Sequence, residues 1–125
     1  IQTHNMTSKI KLNFNGKELD FFFGLSFLGE FFKEESTDLQ GIFNSVNSEP
    51  YTFIPHLMYK SYLHNCKRQG KKADLNSFEI ADLIEETGHF KDGSESAKFV
   101  EPFLQSLIDS LPKAEGENED DVKKK

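Results

Sequence analysis

The side chains with the widest chemical range in this chain are four histidines, His4, His56, His64 and His89, and one cysteine, Cys66. Neutral imidazole and thiolate groups are common zinc ligands, and a zinc site needs several of them close together. His56 and His64 are eight residues apart, which on a helix separates them by about 12 Å along the axis. Neither is followed four residues later by a histidine or a carboxylate. The spacing therefore predicts no metal site.

The sequence also lacks the usual patterns of nucleophilic and phosphate chemistry. It has no Gly-x-Ser-x-Gly run around a serine nucleophile, and its eight glycines never cluster into a phosphate-binding loop. The adjacent pairs Glu34-Glu35 and Glu85-Glu86 diverge around a helix, so they predict solvated faces rather than an acid–base pair. Cys66 has no catalytic motif around it and is predicted to be a packed or inert thiol. We therefore expect a protein that is not an enzyme and binds no cofactor.

One region of the chain has an unusual charge. No acidic residue occurs between Glu49 and Asp74, although the chain carries a net charge of −6. The basic and aromatic side chains interleaved in this segment are Lys60, Lys67, Arg68, Lys71, Lys72, Tyr51, Tyr59, Tyr62 and His64. Tyrosine and arginine favour protein interfaces, so one interpretation is a surface that docks an acidic partner. The other is a helix end whose cations offset the macrodipole, followed by a basic loop.

The composition limits the classes of function. A pI near 5.2 argues against nucleic-acid binding, which needs a basic surface. The single cysteine excludes an internal disulfide and suits a reducing cytoplasm, and no apolar run approaches the ~20 residues of a membrane span. Thirteen Phe stand against three Tyr and no Trp. These rings either fill the core or exceed what it can bury, in which case they form a partner surface.

The elements that position these side chains begin with a β-hairpin. Two alternating apolar and polar runs flank Asn15-Gly16, which is typical of a two-residue type I′ turn. The register that follows pairs Ile10 with Phe21, Lys11 with Asp20, Leu12 with Leu19, Asn13 with Glu18 and Phe14 with Lys17. Two strands are marginally stable alone, so we expect their apolar face to pack on the segments that follow.

Apolar spacing and capping residues predict helices in the rest of the chain. The first four expected helices are Leu25 to Glu35, one beginning at the capping box Thr37–Gln40, one from Thr52–Ile54 to Gln69, and a short one after Asn76. The last helix either opens at Ser94 or Ser96 and kinks at Pro102, or begins at Glu101 after a short turn, and the second is favoured because Pro102 interrupts the pattern. The predicted fold is α+β and mostly α, a two-stranded hairpin packed on four to five short helices. Residues 9–112 form this single domain, residues 1–8 are flexible, and residues 113–125 form a disordered charged tail.

The order of these parts resembles a known family. A lysine-rich strand, the turn Asn15-Gly16-Lys17, a strand ending in aromatic residues and the run Gly24-Leu-Ser-Phe-Leu-Gly-Glu-Phe-Phe32 precede small helices and a charged tail. This layout is similar to that of the tail assembly chaperones of long-tailed, siphovirus-like bacteriophages. The likeness in layout covers Lys9 to Leu111, and the likeness in residues covers Ile10 to Phe32.

The resemblance implies a non-enzymatic chaperone in the cytoplasm of the host cell. Such a protein binds and solubilises the tape-measure protein and helps to recruit tail-tube subunits. It implies protein partners, no nucleic acid, no membrane, and weak, concentration-dependent self-association. A different class stays open, namely a small helical interaction adaptor such as a phage-encoded inhibitor of a host protein.

We expect the partner-binding surface to combine aromatic rings from the first helix with the basic, tyrosine-bearing segment. The predicted residues are Phe27, Phe32, Tyr59, Tyr62, Lys67, Arg68, Lys71 and Lys72. Apolar contact would supply affinity on this surface, and charge would supply encounter rate and salt sensitivity.

Overall fold

The computed structural model describes residues 8–111, which form one two-stranded antiparallel hairpin followed by five helices. The elements are β1 (Lys9–Phe14), β2 (Lys17–Phe22), α1 (Leu25–Glu35), α2 (Leu39–Ser48), α3 (Pro50–Arg68), α4 (Ser77–Glu86) and α5 (Glu95–Ser110). The predicted fold class is confirmed. The predicted flexible segment 1–8, apart from Ser8, and the predicted tail 113–125 lie outside the described residues.

The hairpin has the register that its turn predicts. Both turn residues have positive φ, 55° at Asn15 and 96° at Gly16, as a type I′ turn requires. The Asn13 side chain accepts a hydrogen bond from the Gly16 N–H at 2.6 Å, which braces the turn. The cross-strand pair of Lys11 and Asp20 is present, with 3.2 Å between Nζ and Oδ1.

The apolar face of the hairpin packs against α3 and α5 and forms an aromatic core. Phe21 is fully buried, and its ring meets Phe99 edge-on with 5.5 Å between centroids. Phe23 meets Phe99 and Phe103 in the same way at 5.7 Å. Edge-to-face pairs add ~0.5–1.5 kcal/mol to the burial of the rings themselves. These rings therefore join the end of the hairpin to the last helix.

A hydrogen bond from the backbone of β1 to a side chain of α5 adds to this junction. The Asn13 N–H of β1 donates to Glu95 Oε2 at the start of α5, at 2.7 Å. Glu95 also pairs with Lys98, with 2.9 Å between Oε1 and Nζ. Burial raises the pKa of the Glu95 carboxyl, but the Lys98 ammonium and the Asn13 N–H together outweigh it, so this pKa lies below its ordinary value.

Phenylalanine fills the core rather than the surface. Seven of the thirteen Phe side chains are buried, namely Phe14, Phe21, Phe23, Phe27, Phe31, Phe99 and Phe103. Five more are partly buried against this core, namely Phe22, Phe32, Phe43, Phe53 and Phe90. Phe78 is 79 % exposed. The abundance of Phe thus reflects core filling, and the first of the two interpretations of the composition holds.

Three helix starts differ from those predicted. α2 is capped by Asp38, whose Oδ1 accepts from the Gly41 N–H at 2.8 Å, and not by Thr37. α3 begins at Pro50, since a proline in the first turn sacrifices no helical hydrogen bond. α5 begins at Glu95 with Ser94 as its N-cap and continues through Pro102, so the opening at Ser94 is confirmed and the favoured start at Glu101 is wrong.

The reason for the continuous α5 is burial on both sides of the proline. Phe99 and Phe103 are fully buried one turn apart, and Leu107 continues the same stripe. Burying each of these large side chains contributes roughly 1.5–3 kcal/mol, which offsets the ~3 kcal/mol that a proline costs within a helix. The Ser94 hydroxyl caps the helix by accepting from the Ala97 N–H. Tertiary packing therefore overrides the local signal.

The central element of the fold is α3, a 19-residue helix that contacts β2, α1, α2 and α4. It buries the polar side chains of Ser61, His64 and Asn65. The Ser61 hydroxyl donates to the Phe22 carbonyl at 2.8 Å, which ties α3 to the end of β2. Within residues 8–111, no helix combines the length and the apolar character that crossing a membrane would require.

Candidate functional site

Two of the predicted partner-binding rings lie in the core. Phe27 is 2 % exposed and stacks on Phe31 with 5.3 Å between centroids. Tyr62 is 6 % exposed, and its hydroxyl accepts from the backbone N–H of Asp74 at 2.9 Å and of Leu75 at 3.3 Å. The expectation that these two rings lie on the surface is wrong, because both fill space around α3.

Burial also changes the chemistry of Tyr62. It raises the pKa of the phenol, although the two backbone N–H donors act in the opposite direction. The neutral hydroxyl therefore holds the segment that leads into α4, where the capping box of Asn76 and Glu79 is present as predicted. The role that the structure gives Tyr62 is to position this connection.

The buried stripe of α1 consists of Phe27, Leu28 and Phe31. Leu25, in the first turn of the same helix, is 83 % exposed. Phe32 is partly buried against the core, and so is Tyr59 on α3. Leu25 is thus the large apolar side chain that α1 leaves on the surface.

The basic residues of the predicted surface are exposed, but carboxylates lie near three of them. Lys67 Nζ is 3.0 Å from Glu30 Oε2 on α1. Lys71 and Lys72 line a cavity of about 130 Å³ between the hairpin and the end of α3, and its other charged side chains are Lys17, Glu18, Asp20 and Asp74. Lys67 is thus ion-paired, whereas Lys71 and Lys72 share their cavity with both acidic and basic side chains.

Arg68 is the exception among these basic residues. Its guanidinium carbon lies 4.0 Å from the centroid of the Phe22 ring, in a cation–π contact. Its Nη1 donates to Ser26 Oγ at 3.4 Å. Arg68 therefore brings positive charge to the first turn of α1.

Beneath Arg68, three polar side chains from α1 and α3 form a hydrogen-bonded chain. His64 Nε2 is 2.9 Å from Ser26 Oγ, and His64 Nδ1 is 3.0 Å from Glu30 Oε1. Ser26 and Glu30 are four residues apart on α1, so they lie on one face of the helix. Because a carboxylate only accepts, Nδ1 carries a proton, and in the neutral imidazole Nε2 then accepts the proton of the Ser26 hydroxyl.

The surroundings fix the His64 ring in place. It is 8 % exposed and stacks on Phe22 with 5.7 Å between centroids, while Phe27 meets it edge-on at the same distance. The Lys67 ammonium and then the imidazole hold the pKa of the Glu30 carboxyl below its ordinary value. Glu30 is therefore ionised at neutral pH, and the ring orientation is held by both packing and charge.

The first turn of α1 leaves backbone donors beside Ser26. Its N-cap residue is Gly24, which offers no side-chain cap, and the first helical hydrogen bond runs from the Leu28 N–H to the Gly24 carbonyl. The N–H groups of Leu25, Ser26 and Phe27 therefore have no partner within the helix. A Cβ at position 24 would lie 2.7 Å from the Phe22 ring, so only glycine fits this tight passage from strand to helix.

Sequence reasoning missed this constellation. The usual pattern around a serine nucleophile is Gly-x-Ser-x-Gly, whereas Gly24-Leu-Ser26 follows a strand and opens a helix without the second glycine in that spacing. His64 is 38 residues from Ser26, and no local pattern links them. The usable signal is a serine and a glutamate four residues apart in a helix that begins shortly after a strand.

Comparison of the chain with protein-family models, with curated proteins and with solved structures finds no match in any of the three.

Proposed function

We propose that this protein is a tail assembly chaperone of a long-tailed bacteriophage. It binds and solubilises the tape-measure protein in the host cytoplasm and helps to recruit tail-tube subunits. The resemblance of Ile10 to Phe32 supports this proposal, and so does the hairpin that leads directly into α1. The proposed function itself requires no chemical step.

The observation that carries the proposal is the exposed start of α1. Leu25 is 83 % exposed at the end of the resembling hairpin, and Arg68 reaches the neighbouring residue Ser26. A leucine and a guanidinium thus lie at the same end of one helix. This combination suits a client helix with both apolar and acidic side chains, since apolar contact gives affinity and charge gives steering.

The apolar surface continues toward α5. A cavity of about 220 Å³ lies between the start of α1 and α5, and it is lined by Ser8, Phe23, Gly24, Leu25, Leu28, Ser106 and Asp109. Near the end of α5, Ile108 is 51 % exposed and Leu111 is 45 % exposed. These side chains extend the client surface, and they also allow weak, concentration-dependent self-association.

The test is co-expression with the tape-measure protein of the same phage. We expect the wild-type chain to raise the soluble fraction of the tape-measure protein, and Leu25→Asp to remove most of that gain. The matched control is Phe78→Asp, which alters an exposed aromatic residue on α4 and should retain it. If the wild-type chain leaves solubility unchanged and a single folded host protein co-purifies, the adaptor alternative replaces the chaperone.

Charge reversal tests the second half of the surface. Arg68→Glu should weaken client capture most at low salt, because screening already reduces steering at high salt. Capture measured at several salt concentrations separates this effect from that of Leu25→Asp, which should persist at all of them. An equal loss of client capture at every salt concentration for Arg68→Glu would contradict a role for this charge in client binding.

A further inference from the structure

The polar chain beneath Arg68 has the connectivity of a serine hydrolase triad. The hydroxyl faces one imidazole nitrogen at 2.9 Å, and a carboxylate faces the other at 3.0 Å. Both distances lie within hydrogen-bond reach, and the order of the three groups is that of nucleophile, base and orienting carboxylate. Ser26 is exposed while His64 is buried, so a substrate has access to the hydroxyl and the base is shielded.

We propose that Ser26 is an activated nucleophile, with His64 as its general base and Glu30 as the positioning carboxylate, which accepts the acyl group of small activated esters. This activity goes beyond the proposed chaperone function and does not depend on it.

Charge stabilisation is available at the same place. The N–H groups of Leu25, Ser26 and Phe27 lack helical partners, and the positive end of the α1 dipole coincides with them. The Arg68 guanidinium adds a full positive charge beside the hydroxyl. Preorganised donors of this kind stabilise the oxyanion of a tetrahedral intermediate. This contribution is separate from the proton transfer that His64 performs as general base.

The exposure of Ser26 sets the substrate class. Its side chain is exposed, and the cavity of about 220 Å³ at the start of α1 does not include it. An exposed hydroxyl outside a pocket selects its substrate by reactivity rather than by the shape of the acyl chain. We therefore assign small esters with a good leaving group, such as a phenolate.

The chemical step is a double displacement at the ester carbonyl. Ser26 Oγ bonds to the carbonyl carbon as its proton moves to His64 Nε2, and the carbonyl π electrons become the oxyanion. The oxyanion collapses, the bond to the alcohol oxygen breaks, and the leaving group takes the proton from His64. Water then attacks the acyl-serine with His64 as base, which releases the carboxylic acid and restores Ser26.

The first experiment labels the purified full chain with p-nitrophenyl acetate and with a fluorophosphonate, and maps the adducts by peptide mass spectrometry. Ser77 is the matched control, because it is also an exposed serine in a first helical turn, on α4, and His64 is not among its partners. We expect Ser26 to be labelled at least ~10²-fold faster than Ser77, the lower end of what a general base contributes. Equal labelling of both serines, or no adduct on Ser26, would overturn the proposal.

The variants assign the roles. Ser26→Ala should abolish the adduct, and Glu30→Gln should slow its formation and change its dependence on pH, because Gln can also donate to Nδ1 and so permit the wrong tautomer. A purely structural Glu30 would leave the pH profile of the labelling rate unaltered. His64→Gln should reduce labelling to the level of Ser77, and full labelling in that variant would overturn the assignment of the base.

A second measurement does not require His64→Gln to fold. Ser26→Cys places a thiol at the same position, and alkylation by iodoacetamide is followed at the peptide level, where the native Cys66 is buried and distinguishable. An adjacent imidazole and a helix N-terminus favour the thiolate. We expect at least ~10-fold faster alkylation near pH 6 than for Ser77→Cys, and equal rates would contradict an activated position. Failure of both measurements leaves the solubility test on Leu25→Asp unaffected.

Discussion

The hairpin and the face where α1 meets α3 contact the same aromatic core, but different interactions hold them. In the hairpin, residues at most 13 positions apart pair through backbone hydrogen bonds, as Lys9 does with Phe22. On the α1–α3 face, Ser26, Glu30 and His64 meet across 34 to 38 residues through side chains that carry charge or protons. The first region follows from turn chemistry, whereas the second exists only after the helices have packed. Acid should therefore weaken the α1–α3 face more than the pairing of the two strands, which depends mainly on backbone hydrogen bonds.

The largest expected effect comes from removing the ring that the hairpin contributes to the core. Phe21→Ala should lower the free energy of unfolding by ~3–5 kcal/mol, the usual cost of truncating a fully buried Phe. Urea denaturation followed by circular dichroism measures it. Phe78→Ala is the control, since its ring is 79 % exposed and should cost less than ~0.5 kcal/mol. Similar losses in both variants would contradict the assigned core.

The turn is the next most sensitive position of the hairpin. Gly16→Val should destabilise by ~1–3 kcal/mol, because a β-branched residue is strained at a φ of 96°. A steric clash does not cause this loss of stability, since no atom lies within 4 Å of a Cβ built at position 16. Gly16→Asn is the matched control and should lose less, because Asn tolerates left-handed backbone. An unchanged urea midpoint for Gly16→Val would reject the turn conformation.

The α1–α3 face should respond to acid. Lys67 and His64 face Glu30 and lower its pKa, so its contribution to stability is present above about pH 4.5, the ordinary value, and is lost as the pH falls through the folded value. Glu30→Gln should therefore lower the urea midpoint at pH 7, and the gap to wild type should narrow as the pH falls below 4.5, because a protonated Glu30 is as uncharged as glutamine. Glu85→Gln, an exposed change on α4, serves as the control. A gap that stays constant with pH would contradict the ion pair.

The smallest expected changes in stability are those of alanine substitutions at the two glycines that flank the first turn of α1. Gly29→Ala should stabilise the protein by ~0.5–1 kcal/mol, because alanine favours a helix and no atom lies within 4 Å of the added Cβ. Gly24→Ala should instead destabilise it, since its Cβ meets the Phe22 ring. Thermal unfolding of both variants measures the contrast. A loss of stability in Gly29→Ala would indicate a close contact there.

The sequence predicts the hairpin well because its determinants are local. Asn15-Gly16 specifies the turn, the turn specifies the register, and the alternation specifies the buried face. The Asn76 capping box is local in the same sense and is also confirmed. Pro102 is different, since its local penalty is offset by the burial of Phe99 and Phe103 against a hairpin about 80 residues away. The sequence around Pro102 reveals the cost of a proline within a helix, but not the distant packing that offsets this cost.

The candidate site was predicted only in part for the same reason. Lys67 and Arg68 were expected on a surface and are exposed, and their role in binding stays a prediction. Phe27 was expected outside, but the rotation of α1 that decides its burial depends on how α1 docks on α3. No pattern in the sequence relates Ser26 to His64. Their Oγ and Nε2 atoms lie 2.9 Å apart only because α1 docks on α3. Partners that distant in sequence are specified by tertiary packing alone.

The hydrogen bond from Asn13 to Glu95 has a consequence for how the chain folds during synthesis. Its two residues are separated by 82 positions, and translation at ~5–20 residues per second needs roughly 4–16 s to cover that distance. During this interval the β1 edge lacks the carboxylate that occupies it, and Phe21 and Phe23 lack their partners on α5. The nascent hairpin therefore presents an open strand edge and an aromatic face to other chains on the same polysome. Slow codons between α4 and α5 would lengthen that exposure and lower the yield of folded protein.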